Sequence, residues 1–144
     1  MPLSVDTNAD VLNVSDFGAI GDGQFHSVSE WLVGGEFDKG YTSLAEIKAD
    51  YPTVEKLNES IDRVAIQTAF DAVSDGQELR FTPDANYIFD KAVDTTATNI
   101  TVEMTGATVT MAPDSTYNAF RIVADEHDGE TSVIWNGGTL DGNN

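Results

Sequence analysis

Beyond Gly76 the chain becomes a series of short apolar runs set between turn residues. Leu79 and Phe81 alternate with polar neighbours before Pro83, and Tyr87-Ile88-Phe89 follows. Ile100, Val102 and Met104 alternate with Thr101 and Glu103; Thr108–Met111 precedes Pro113. Phe120–Val123 and Val133-Ile134-Trp135 come last, either side of an acidic turn, Asp125–Glu130. Runs of this length and alternation read as strands. Two of them recur: Val102-Glu103-Met104-Thr105-Gly106-Ala107-Thr108-Val109 aligns without a gap on Val133-Ile134-Trp135-Asn136-Gly137-Gly138-Thr139-Leu140, an offset of 31 residues. Each copy is a strand, a glycine bend and a second strand opening on Thr. With Leu79–Phe81 placed earlier, this predicts a stack of repeats, in which a unit of about twenty or more residues gives two to three turns after Gly76.

A stack of short parallel strands leaves unpaired edges and an apolar end, so it needs a cap. Asp62–Ser74 predicts that cap. Ala65, Ala69 and Val73, with Ile66 and Phe70 on the adjoining row, form one apolar helical face that Ile61 extends. Asp62 near the helix start suits the dipole, and Gly76 falls in the region that ends a helix. Ahead of it, Val14-Ser15-Asp16-Phe17-Gly18-Ala19-Ile20-Gly21-Asp22-Gly23 reads as a short strand and a tight turn, because Gly supplies positive φ and Asp bonds nearby backbone.

Three regions result: a flexible lead, 1–12; a cap, 13–76, with an inserted excursion at 24–61 and the helix at 62–75; and the first coils, truncated, at 77–144. The excursion carries Phe25, Trp31, Phe37, Tyr41 and Tyr51, and Ser43-Leu44-Ala45-Glu46 is a capping-box signature for a short helix stopped by Pro52. Val54–Leu57 is expected to add a further helical turn. The aromatics read first as packing on the main body, and second as a lid that stacks on sugars.

Charge narrows the partners. Asp and Glu number 25 against 7 Lys and Arg, a formal charge of −18. Such a surface repels phosphate backbones and anionic membranes, so neither nucleic acid nor a membrane is an expected partner. Without cysteine there is no disulfide framework and no thiolate metal site. No apolar run approaches a membrane span, and Met1–Asn13 lacks the basic and apolar regions of a secretory signal.

Taken together, Val14-x-Asp16-Phe17-Gly18-Ala19-x-Gly21-Asp22-Gly23, Asp62-x-x-Ala65-Ile66-Gln67-x-Ala69-x-Asp71-Ala72 and Leu79-x-Phe81-x-Pro83-x-x-x-Tyr87 resemble the N-terminal part of the pectate-lyase-like superfamily, which includes polygalacturonases, rhamnogalacturonases, alginate epimerases and phage tailspike proteins. The resemblance implies a mainly β fold: the start of a right-handed single-stranded parallel β-helix with an N-terminal capping α-helix. Gly137-Gly138-Thr139-Leu140-Asp141-Gly142 looks like the Gly-x-x-Asp-Gly stretch of early coils. It further implies a carbohydrate-active protein (lyase, glycoside hydrolase or epimerase), or else the structural or glycan-binding head of a tailspike or surface adhesin, extracellular or on a virion. The partner implied is a polysaccharide, with a homotrimer under the tailspike reading. The sequence departs from the family in the excursion between Gly23 and Asp62, and in ending at Asn144, before the mid-coil rungs that carry acid and base residues. No catalytic residue is therefore carried over.

Residues with chemistry remain to be placed. Asp141, Asp16 and Asp22 are carboxylates in glycine-flanked turns, which read first as turn-fixing groups and second as acid–base candidates. Lys91 and Arg121 are isolated cations for a lyase base. Asp125, Asp128 and Glu130 are weak candidate Ca2+ ligands without the spacing of an EF-hand loop, and Ca2+ is the cofactor they would take. His26 and His127 could share a metal or a catalytic role. Gly18-x-x-Gly21-x-Gly23 lacks the spacing and the following Lys of a phosphate loop.

Overall fold

The computed structural model describes residues 5–97, 99–113, 119–122 and 133–142. The fold is mainly β with parallel strands. Strand β1 (Val11–Asn13) leads into a 3-10 turn at Val14–Phe17; helices α1 (Leu44–Asp50) and α2 (Ile61–Ala72) follow. Then come β2 (Glu78–Arg80), β3 (Asn86–Phe89), β4 (Val93–Thr95), β5 (Ile100–Glu103), β6 (Thr108–Met111), β7 (Phe120–Ile122), β8 (Val133–Asn136) and β9 (Thr139–Asp141).

Among the described residues the strands form three parallel sheets, ordered β1-β2-β5-β8, β3-β6-β9 and β4-β7. From β2 on, each strand pairs with the one three places later in the chain. Alternation along β5 and β6 buries Ile100, Val102, Val109 and Met111 and leaves Thr101, Glu103, Thr108 and Thr110 half-covered. In register, Leu79 sits beside Val102, Tyr87 beside Val109 and Phe89 beside Met111, so apolar residues stack on apolar residues. Phe70, Phe81, Phe89, Phe120 and Trp135 add a group of rings with centroids 4.9–6.5 Å apart in their contacting pairs.

The second repeat is shifted at its first strand. Thr108 faces Thr139 and Val109 faces Leu140, as the ungapped alignment has it. Val102, however, faces Trp135 and not Val133. Four residues, Met104–Ala107, bridge β5 and β6, whereas Gly137-Gly138 alone bridges β8 and β9. A shift of two residues preserves which face each side chain takes. The tight bend demands glycine: both residues have positive φ, and a Cβ on Gly137 would lie 2.7 Å from Thr105 Cα.

Other boundaries also differ from the sequence reading. β1 precedes the glycine segment and begins at Val11, inside the expected lead. Helix α2 starts one residue earlier than read, at Ile61 behind the N-cap Ser60, and ends at Ala72. α1 forms as expected, with the Ser43 hydroxyl accepting from the Glu46 N–H. Glu46 itself reaches back to Thr42, while the reciprocal capping box belongs to Ser27 and Glu30, at the start of a 3-10 turn over Val28–Trp31. Val54–Leu57 forms no helix. The buried Glu59 carboxylate instead accepts the N–H groups of Glu55 and Lys56, which holds that stretch as turns.

Helix α2 is buried on two sides. Ala65, Ile66, Ala69 and Phe70 face the strands. Ile61 and Val64 join Val28, Trp31, Tyr41, Ile47, Tyr51 and Val54 in a second core made by the excursion. Trp31 stacks on Tyr51 at 4.5 Å, and the Tyr51 hydroxyl donates to the Phe17 carbonyl. Trp31, Tyr41 and Tyr51 are thus core residues; Phe25 is the exposed aromatic of this region.

Candidate functional site

Two polar constellations stand where the glycine segment, the excursion and α2 meet. The first lies along β3 and β4. Backbone groups in a strand alternate sides. At the two ends of β3 the Ala85 and Phe89 carbonyls accept from Thr108 and Ala112, on the β6 side. Asn86 and Ile88 therefore face away from β6, and both are satisfied. Asn86 exchanges bonds with Gly21 and Gly23 of the glycine segment. Ile88 N–H donates to Asp62 at 3.0 Å, and its carbonyl accepts from the Ser60 hydroxyl. In β4, Val93 N–H donates toward the β7 side, to Ala119. Asp94 N–H and C=O both meet the Gln67 side-chain amide, at 3.0 and 2.7 Å.

Asp62 is the centre of this arrangement. It is buried, and besides Ile88 it accepts from Ile20 N–H at 2.7 Å and Gly21 N–H at 3.2 Å. Burial pushes its pKa up, against the pull of the three N–H groups. The next residue, Arg63, is buried between Glu59 and Asp90. Burial works against ionisation of Glu59, but the Arg63 hydrogen bond, the two backbone N–H groups and the Arg63 charge outweigh it and lower its pKa.

The second constellation centres on His26. Its Nε2 is 2.7 Å from Asp22 Oδ2, and its Nδ1 is 3.1 Å from Glu30 Oε1 and 4.0 Å from Glu36 Oε2. The ring meets Phe37 edge-on at 4.7 Å. Burial disfavours the imidazolium, but the hydrogen bonds to Asp22 and Glu30 and their charges prevail, and the pKa is raised. Beside it opens a cleft of about 590 Å³ lined by Ser15, Gly18, Ile20, Glu36, Phe37 and Lys39, among others. The Lys39 ammonium stands 5.7 Å from the Trp31 ring centroid, and Asp38 is occupied by the N–H groups of Gly34 and Gly40. Imidazole and carboxylates in this order clamp the excursion to the glycine segment and offer metal-ligating atoms.

The sequence candidates scatter. Asp22 joins His26 and also accepts from Gln24 N–H, a turn bond of the kind expected. Asp16 is exposed in the first 3-10 turn, and Asp141 is exposed in β9 opposite Thr110. Lys91 is half-buried between β3 and β4, and Arg121 lies in β7 opposite Asp94. Asp125, Asp128, Glu130 and His127 lie outside the described residues, so the Ca2+ reading and the His26–His127 pairing rest on sequence alone. Glu30, Glu36, Asp62 and Gln67 were not singled out as site residues. Ser27-x-x-Glu30 could have been read as a capping box. Glu36 gives no local signal, because turns deliver it.

No family model matches the chain, and no curated protein matches it. Among solved structures it is similar in fold to two phage proteins. One is the tailspike protein gp49 from Pseudomonas phage LKA1, at 24% identity and a TM-score of 0.57 over 76% of this chain. The other is the tailspike gp61 of Pseudomonas phage phi297, at 23% identity and a TM-score of 0.52 over 73% of this chain. The chain spans 17% and 18% of the length of those proteins.

Proposed function

We propose that the chain is the opening segment of a tailspike-like parallel β-helix, with a structural role in a virion-associated, polysaccharide-binding protein. On this reading the three sheets are the three faces of each coil, α2 is the N-terminal cap, and the excursion braces the cap from outside. The observation that carries it is the satisfied edge of β3 and β4. Glycine-segment backbone at Asn86, and side chains at Ile88 and Asp94, occupy the positions a preceding coil would fill. The likeness in fold to two tailspike proteins supports the same reading. The lyase, hydrolase or epimerase alternative has no catalytic residue assigned to it in this chain.

The test is location and activity together. Peptides of this chain should be found in purified phage particles, in a protein that sediments as a trimer. The isolated 144-residue chain should release neither unsaturated nor reducing ends from polyuronates. Its recovery only from a virion-free secreted fraction, or measurable cleavage by the purified chain, would overturn the proposal.

A further inference from the structure

The His26 cluster has a feature that clamping alone leaves unused. Asp22 and Glu30 are acceptors on Nε2 and Nδ1 respectively; Asp22 holds a hydrogen on Nε2 and so orients the ring with Nδ1 toward Glu30 and Glu36. Nδ1 and two carboxylates then converge on one point that calls for a positive charge: a proton on Nδ1, or a metal ion that takes its place. The three ligating atoms lie within 4.8 Å of one another. Around a tetrahedral ion with bonds of about 2.0–2.2 Å, neighbouring ligand atoms stand roughly 3.3–3.6 Å apart. The observed 3.1 Å to Glu30 and 4.0 Å to Glu36 bracket that spacing.

We propose that His26 Nδ1, Glu30 and Glu36 bind one divalent transition-metal ion of the zinc type, with Asp22 as the positioning partner of the imidazole. The ligand set selects the ion: imidazole with two carboxylates suits zinc and its neighbours, whereas Ca2+ takes six to eight oxygens, a range set by its chemistry. Two ligands are already held. His26 is 9% exposed and packed on Phe37, and the Glu30 carboxylate also accepts from Ser27 N–H. Glu36 is 68% exposed and free to close on the ion. Bound metal would tie the glycine segment, the Val28–Trp31 turn and the Glu36–Phe37 bend at one point beside the cleft.

Calorimetric titration of the metal-stripped chain with ZnCl2, and separately with CaCl2, tests this. One Zn2+ per chain is expected, with Ca2+ at least about tenfold weaker. Asp22→Asn should weaken Zn2+ by about 10–100-fold, as loss of a partner behind a ligating histidine does. His26→Ala risks the fold, so the exposed Glu36→Gln carries the decision: it should leave the circular dichroism unchanged and weaken Zn2+ at least about tenfold. His127→Ala should bind as the parent does. Absence of heat up to millimolar Zn2+ (a proton alone between the ligands), a Glu36→Gln variant with parental affinity (scattered surface carboxylates), equal Ca2+ affinity, or loss of binding in His127→Ala would each overturn the proposal.

Discussion

At the scale of single residues, the buried carboxylates decide most. Asp62 serves three N–H donors from two separate segments, and Asn can offer only one acceptor oxygen in its place. Asp62→Asn should therefore destabilise by about 1–3 kcal/mol for each donor left unpaired. Urea unfolding will show this as a lower midpoint at unchanged slope. Glu59 gives a pH dependence. Its folded pKa lies below the ordinary 4.5, so the unfolded chain takes up its proton more readily. Its contribution is full above pH 4.5 and is lost as pH falls through the folded value. Glu59→Gln should be less stable than the parent at neutral pH, and the difference should shrink in acid. Thermal unfolding at a series of pH values measures it.

At the scale of elements, α2 works as both a packing surface and a row of hydrogen-bonding groups. Gln67 bonds both backbone groups of Asp94, so Gln67→Ala should strip hydrogen-exchange protection from the Asp94 amide while leaving that of Ile88, held by Asp62, in place. Loss of both protections together would mean that the edge opens as one unit. The apolar spacing of α2, the alternation of β5 and β6 and the capping serine of α1 were legible in the sequence, because each is a local pattern with a local cause. β4 was not: Val93-Asp94-Thr95 is too short for a period to show, and its partners are Gln67 and β7. The second core escaped for a related reason. The excursion's aromatics signalled burial, but only tertiary contact shows that Ile61 and Val64 turn α2 toward them. Asp22, His26, Glu30 and Glu36 come from turns, and no helical or strand period links all four.

At the scale of the whole molecule, the described strands are secured unequally on their two sides. β8 and β9 pair on one side only among the described residues, and Leu140, which continues the line of Tyr87 and Val109, is 59% exposed. An uncovered parallel edge with an apolar residue on its inner line invites other chains. Light scattering of the 144-residue chain should rise with concentration, and Leu140→Lys should suppress the rise without lowering the unfolding midpoint. The opposite side behaves otherwise, because Ser60, Asp62 and Gln67 address Ile88 and Asp94 through main-chain atoms alone. Such bonds are blind to which side chains the strands carry. Outward-facing positions along this border are thus released to drift over evolutionary time, while the inward ones stay tied to the apolar face of Ala65, Ile66, Ala69 and Phe70.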